Sequence, residues 1–503
     1  MRFDLAESRF VETDRCADAP AVIAADRTLS WRELADAAAA WRDAAIDEGI
    51  ERDVPIVVRG HKEAAFFVAM AGALLLGAPF VPVDTVYPEE RLRRIARTLN
   101  AAVYFDARRG AFERFESAQG AVAANAVVQA QPAPLREKHL AYVLFTSGTT
   151  GEPKGVQIGR ESVQSLAEWM TTDFALGPTP VFMNQAPFSF DLSMYEVFGT
   201  LALGGTIVMM SRAACLPGAT FIDALVRASV TTWVSTPSFA QQQLLDPRFA
   251  QASLPTLRTF LFCGEILPVP LARRLRERFP QARIINTYGP TEATVAATWT
   301  VVDDAMLAAN PERLPIGVAR RGGEVFVEDG EVCIAGPYVM RGYLNRADLN
   351  ATRMFSHAGQ RAFRTGDIGS ADAYGLLFCH GRIDDQVKLN GYRIELAEID
   401  AALASMPGGA HAAAVPLRRP DGAVARIVAF VETGANDEEG ARLALPADWR
   451  GRLAERLPPY MIPSELIPCR LLPLTVNAKI DRARLADDYR NAMTDSVVRS
   501  DGR

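Results

Sequence analysis

The residues of this chain with the plainest chemical potential run from Tyr142 to Gly155, as Tyr-Val-Leu-Phe-Thr-Ser-Gly-Thr-Thr-Gly-Glu-Pro-Lys-Gly. An apolar, β-prone run ends at Phe145 and opens into small hydroxyl residues and glycines, with Lys154 close behind. Glycine accepts positive φ and lets backbone N–H groups approach an anion, while Thr146, Ser147, Thr149 and Thr150 add hydroxyl donors around Gly148. That is phosphate-handling chemistry. It is not the common Gly-x-x-x-x-Gly-Lys-Ser/Thr nucleotide loop, because Lys154 follows Gly151 by three residues and is itself followed by glycine. From this stretch alone, a Gly/Thr-rich hairpin turn is the plain alternative.

Such a loop needs a large scaffold, and 503 residues allow more than one domain with a sizeable core. Hydrophobic residues at 49% and charged residues at 23% are ordinary for a globular enzyme. A net charge of −6 without a Lys/Arg block argues against a nucleic-acid binder. The arginines between Arg91 and Arg97 alternate with apolar residues, as on a solvated helix face. The six cysteines are scattered, with no Cys-x-x-Cys pair, so neither a zinc site nor a disulfide framework is supported and a reducing cytoplasm is the default. Residues 64–83 carry no charge and are long enough to span a bilayer, but Gly72, Gly77, Pro79 and Pro82 cut them. A buried helix over 64–76, a turn and a strand over 80–83 follow. The charged residues Arg2, Asp4, Glu7 and Arg9 speak against a secretory signal.

Helices and strands alternate along the chain, the pattern of a layered α/β architecture. Ser30 with Glu33 predicts a capped helix up to residue 48. Strands are expected over 54–58, 101–105, 206–210, 231–234, 259–262 and 284–286, and helices over 88–99, 161–170 and 270–279. The Ala/Gln/Pro-rich residues 110–138 read as a surface connection. Short alternating strands over 324–336 predict a β subdomain. The expected division is a large domain over 1–382 and a small α+β domain over 383–503. The small domain should run polar link, helix, strand, helix, with its end frayed from Thr494.

Five motifs in order carry a family resemblance: 145–155 above, Asn-Thr-Tyr-Gly-Pro-Thr-Glu at 286–292, Phe-Arg-Thr-Gly-Asp at 363–367, Gly-Arg-Ile-Asp-Asp-Gln-Val-Lys-Leu-Asn-Gly-Tyr-Arg-Ile-Glu at 381–395, and Asn-Ala-Lys-Ile-Asp-Arg at 477–482. From about Leu29 to Asp481 the chain resembles the adenylate-forming superfamily of acyl-CoA synthetases, luciferases and amino-acid adenylation domains. The family usually has tyrosine where Phe363 stands and glycine where Ala478 stands; the second departure restricts the loop before Lys479.

The resemblance implies a reaction in which a carboxylate attacks the α-phosphorus of ATP, helped mainly by positioning and charge neutralisation. It assigns the β and γ phosphates to the loop of Thr146, Ser147, Gly148, Thr149, Thr150 and Lys154. Thr291 would touch the α-phosphate and Glu292 would hold Mg²⁺, a hard cation suited to carboxylate oxygen. Tyr288 would stack on adenine beside Asn286 and Thr287, and Asp367 would take the ribose hydroxyls with Arg382 nearby. On residues alone, 286–292 is also a plain surface turn, and Gly366-Asp367 another. Lys479 would bridge the substrate carboxylate and the α-phosphate during adenylation; a solvated lysine in a polar loop is the plain alternative. The small domain would rotate about Asp384 so that Lys388 faces the site for thioester formation. No stretch after Asp481 could hold a carrier domain, so the acceptor would be a separate phosphopantetheine-bearing protein or coenzyme A.

Substrate class is expected from Asp191 in Phe-Asp-Leu-Ser, which in amino-acid-activating relatives pairs with the substrate ammonium, although it also suits an N-cap on the helix that follows. The pocket would be completed by Leu192, Tyr195, Val234, Leu261, Cys263, Thr287, Val295 and Ala296, an apolar lining for a small side chain. Within the family the chain looks most like stand-alone D-alanine:D-alanyl carrier protein ligases of teichoic acid modification. Another small amino acid, such as L-alanine or L-proline, is the alternative substrate. The final acceptor stays open between teichoic acid, another envelope polymer and a natural product. A monomer without membrane insertion is expected.

Overall fold

A computed structural model describes residues 1–13, 16–115, 139–148, 152–406, 411–419, 422–432, 446–469, 471–474 and 480–500. The chain forms two compact units. One takes Met1–Thr85, Ile95–Phe145 and Lys154–Ile383, and the other takes Val86–Arg94, Thr146–Pro153 and Asp384–Arg503.

In the larger unit, two open sheets of seven and nine strands supply the layered α/β architecture that the alternating pattern predicts. The seven-stranded sheet holds the parallel strands Ile56–Gly60, Phe80–Asp84 and Val103–Asp106. The helix Ala64–Leu76 is apolar on every side because it is buried on every side, and Gly77 ends it in the left-handed region at φ 88°. The helix Trp31–Asp47 begins with the expected capping box: Ser30 accepts from the Glu33 N–H, and Glu33 reaches back to the Ser30 N–H.

The nine-stranded sheet runs Val181–Asn184, Thr232–Ser235, Thr259–Phe262 and Arg283–Tyr288 in parallel. Its strands are continuous apolar runs because both faces are covered. The carboxyl ends of these strands lie in register, Ser235 beside Phe262 and Phe262 beside Asn286. In open parallel sheets, that edge is where ligands bind. Beyond it, Glu324–Glu328 and Glu331–Ala335 pair antiparallel within a five-stranded sheet, the expected β subdomain.

The smaller unit departs from the expected helix-strand-helix order. It begins with a hairpin, Gln386–Leu389 against Tyr392–Glu395, before the helix Leu396–Ala404. Asn390 at φ 50° and Gly391 at φ 83° turn it, the Asn-Gly pairing that two-residue hairpins require. Strands Ala412–Arg418, Val424–Glu432 and Leu466–Cys469 make its sheet. The last helix runs Arg482–Ser500, past the expected fray point at Thr494, since no glycine or proline interrupts it before Gly502.

Two further expectations are corrected. Arg91 is not solvated: it is 2% exposed, lies over the Tyr87 ring and pairs with the equally buried Glu398 at 2.7 Å. Burial opposes its charge, but Glu398 outweighs that and holds its pKa up. The segment after Gly110 starts as a strand, Ala111–Arg114, pairing with Val103–Asp106, while residues 116–138 of the expected connection lie outside the described residues.

Candidate active site

The phosphate-type loop joins two neighbouring strands, Leu140–Thr146 and Lys154–Gly159, so the hairpin reading and the anion reading describe one piece of backbone. Thr149 and Thr150 lie outside the described residues. Among the described residues the buried Thr146 hydroxyl has no hydrogen-bond partner, which is costly unless a ligand supplies one. Ser147 donates to the Arg393 carbonyl at 3.0 Å. Lys154 is 6% exposed, and its ammonium lies 5.9 Å from the centre of the Tyr343 ring.

Tyr343 connects this lysine to the next motif, because its hydroxyl donates to Glu292 Oε1 at 2.5 Å. Thr291–Ala293 form a short 3₁₀ turn after the strand Arg283–Tyr288. Gly289 is required there: a Cβ on it would lie 2.5 Å from the Ala296 Cα. The Tyr288 hydroxyl donates to Asp367 Oδ2 at 2.5 Å, and Arg382 donates to Asp367 Oδ1 at 2.9 Å. Burial first, and the Asp367 charge second, push the Tyr288 pKa well up, so this phenol stays a donor. Asp367 is not in a turn but inside the strand Gln360–Ala371, directly opposite Arg382. Asn286 donates its amide to the Pro315 carbonyl at 2.9 Å.

Asp191 starts a 3₁₀ turn, and neither that turn nor the helix Met194–Leu203 has a side-chain capping bond. The capping alternative for this carboxylate therefore finds no support. Instead, Asp191 Oδ2 accepts from the Thr291 hydroxyl at 2.7 Å. The residue expected at the substrate ammonium thus touches the residue expected at the α-phosphate, across a hundred residues of sequence.

The expected pocket residues Leu192, Tyr195, Val234, Leu261, Cys263, Thr287, Val295 and Ala296 are all buried. Val234 and Leu261 sit side by side in register. Thr287 donates to the Phe262 carbonyl at 2.8 Å and meets the Tyr195 hydroxyl at 3.3 Å. The Cys263 thiol faces the Val295 carbonyl at 3.5 Å. Lys388 lies on the hairpin of the smaller unit opposite Arg393, Asp384 opens that unit's C-terminal stretch, and Lys479 lies outside the described residues.

Sequence reasoning missed the support behind Asp191. Lys62, 4% exposed, donates to Asn184 Oδ1 and, at 2.6 Å, to the Ala186 carbonyl, and Asn184 donates to Glu196 Oε1 at 3.1 Å. Burial brings the Lys62 pKa down to about 8 and pushes that of Glu196 up to about 8. This buried chain anchors the start of the 184–191 segment that carries Asp191. A lysine directly before a buried apolar helix was the only local hint. Tyr343 was missed as well, because its role depends on a strand pairing with Val156.

Among the described residues no cluster of three or more His, Cys, Asp or Glu could hold a metal, and no helix is long and apolar enough to cross a membrane. A family model described as AMP-binding enzyme matches residues 10–344, and one described as AMP-binding enzyme C-terminal domain matches residues 398–479. The D-alanine--D-alanyl carrier protein ligase of Lactiplantibacillus plantarum is 40% identical over 451 residues, covering 85% of this chain and 87% of that protein. The protein of the same name from Bacillus velezensis is 36% identical over 451 residues, covering 86% and 89%. The crystal structure of the Vibrio cholerae adenylation domain AlmE, in complex with glycyl-adenosine-5'-phosphate, shares the fold with a TM-score of 0.77 at 22% identity, covering 94% and 95%. With the ordered motifs and matches over most of its length, the chain belongs to the AMP-binding enzyme family.

Proposed function

We propose that this protein activates D-alanine with ATP and passes the alanyl group to the phosphopantetheine thiol of a separate carrier protein. Curated relatives of that name, 36% to 40% identical over most of both chains, support the substrate and the acceptor. The observation that carries the reading is the 2.7 Å hydrogen bond between Thr291 and Asp191, which joins an ammonium-binding carboxylate to a phosphate-binding hydroxyl. A carboxylate in an enclosed pocket selects an amino acid over a plain carboxylic acid.

In the first half-reaction a carboxylate oxygen of alanine bonds to the α-phosphorus and pyrophosphate leaves. We assign the ammonium to Asp191, the outer phosphates to the 146–154 loop with Lys154, and neutralisation of charge between the carboxylate and the α-phosphate to Lys479. Asp367 and Arg382 take the ribose, and Tyr288 the adenine face. Tyr288 and Arg382 each donate to one Asp367 oxygen, and both oxygens keep a lone pair for ribose hydroxyls. Glu292, buried and with one oxygen on Tyr343, fits Mg²⁺ as a single carboxylate ligand, the usual mode in which substrate phosphates complete the shell. The ion would screen phosphate charge there.

In the second half-reaction the carrier thiol sulfur bonds to the acyl carbon and AMP leaves with the electron pair. We assign the hinge between the domains 1–382 and 383–503 to Asp384, and Lys388 to this step. The reaction belongs in the cytoplasm, where ATP is available. Pyrophosphate exchange over a panel of D- and L-amino acids tests the reading: exchange greatest with D-alanine is expected. Greatest exchange with L-alanine or L-proline, or none with any amino acid, would overturn it.

A further inference from the structure

The backbone from Pro290 to Ala297 carries Thr291 and Glu292 at one end and Val295 and Ala296 at the other. It bends where its sequence resists bending. Thr294 at φ 51° and Val295 at φ 73° are consecutive β-branched residues in the left-handed region, both fully buried. A β-branched Cβ is crowded there, so such a turn persists only when its surroundings over-determine it.

The surroundings converge on it from one side. The Thr294 hydroxyl donates to the Tyr338 carbonyl at 2.7 Å, and the Met340 N–H donates to the Glu292 carbonyl at 2.7 Å. Arg320 adds two more: its N–H donates to the Ala297 carbonyl at 2.9 Å, and its guanidinium Nη1 to the Ala296 carbonyl at 3.1 Å. The guanidinium lies 3.8 Å from the ring centre of Tyr338, the residue whose carbonyl holds Thr294, and 5.1 Å from that of Trp169. Arg320 is 1% exposed, burial brings its pKa down to about 10, and among the described residues no carboxylate pairs with it. Arg91, by contrast, is buried against Glu398. A guanidinium buried without a carboxylate is costly, and backbone carbonyls and aromatic faces recover only part of that cost.

We propose that Arg320 is a positioning residue for amino-acid selection: acting through the Thr294–Ala297 turn, it holds Val295 and Ala296 as a wall of the amino-acid pocket without touching substrate. The inference rests on the reading that these two residues line that pocket. With the Ala296 and Ala297 carbonyls drawn to Arg320, the Val295 carbonyl is left facing the Cys263 thiol. The turn can then relax only by losing several contacts together.

The test measures KM for the amino acid, KM for ATP and kcat by pyrophosphate exchange, using whichever amino acid the wild-type panel selects. An error in the D-alanine assignment then shows in the wild-type panel and leaves this comparison intact. Arg320→Met is expected to raise the amino-acid KM about 10-fold, to leave the ATP KM within about twofold, and to weaken discrimination against a side chain one methylene longer. Arg320→Lys should recover part of the loss. Thr294→Val, which removes a second side-chain tether, should give the same selective rise at about threefold. Ser165→Ala, which removes only the remote Arg320 Nη2 contact at 3.3 Å, should change neither KM. A fall in melting temperature or active fraction with both KM values intact would mark mere packing and overturn the proposal, as would an equal rise in both. Should Arg320→Met fail to fold, Thr294→Val decides: folded protein with an unchanged amino-acid KM overturns it, and a selective rise supports it.

Discussion

Two tight turns carry residues that matter to this enzyme, and they are built on opposite principles. The hairpin turn at Asn390 and Gly391 uses two residues that accept positive φ, so local preference and native geometry agree. The turn at Thr294 and Val295 uses two that resist it. The first presents Lys388 on a hairpin that its own sequence specifies. The second presents Glu292 and Val295 on a backbone held by Tyr338, Met340 and Arg320. Where a site must be rigid and close-fitting, tertiary contacts overrule local preference; where a segment has to form by itself, local preference suffices.

The sharpest way to break this comparison is to separate the two half-reactions. Lys479→Ala should lower adenylation by about 1,000-fold or more. Lys388→Ala should spare pyrophosphate exchange and impair transfer to the carrier thiol. Single-turnover assays of each step check this, and equal losses of both steps in both variants would refute a division of labour between the two regions.

Removing the Asp191 carboxylate should have the next largest effect. Asp191→Ala leaves the substrate ammonium without its counter-charge and Thr291 without its acceptor. For a half-buried carboxylate the loss is about 2 to 3 kcal/mol, roughly 30- to 150-fold in kcat/KM for alanine. Propionate, which has no ammonium, should lose much less, and comparing the two acids isolates the charge interaction.

Cys263 sharpens the view of the held turn, since its thiol faces the Val295 carbonyl. With the ammonium and carboxylate of alanine pinned, the enantiomers differ only by exchange of methyl and hydrogen, and sulfur on one side should obstruct the L methyl. Cys263→Ala should raise kcat/KM for L-alanine more than for D-alanine and narrow their ratio by about 10- to 200-fold. A wild-type preference for L-alanine, or an unaltered ratio, would reject this account of handedness.

The smallest effect is expected at the locally specified turn. Gly391→Ala forces a Cβ into φ 83° and should destabilise the smaller unit by about 1 kcal/mol, without changing either KM of adenylation. Thermal unfolding together with exchange kinetics would show it, and a changed amino-acid KM would mean that the two turns are not independent.

The sequence by itself determined the layered α/β class, the capped helix at Ser30, the buried helix Ala64–Leu76 and the ordered motifs that mark the family. Each depends on residues close together in the chain, where periodicity, capping and glycine placement act directly. The turn at Asn390 and Gly391 is written there too, in two residues that accept positive φ. What only the tertiary structure decided are the contacts across long stretches of chain: Asp191 on Thr291, Tyr343 on Glu292, Lys62 on Asn184, Arg91 on Glu398 and Arg320 on Ala296. In sequence, Arg91 and Arg320 look like any surface arginine and Val295 like any β-former. Burial, the partner atoms that burial brings, and the strain those partners offset arise only when distant segments meet, and no local pattern encodes them.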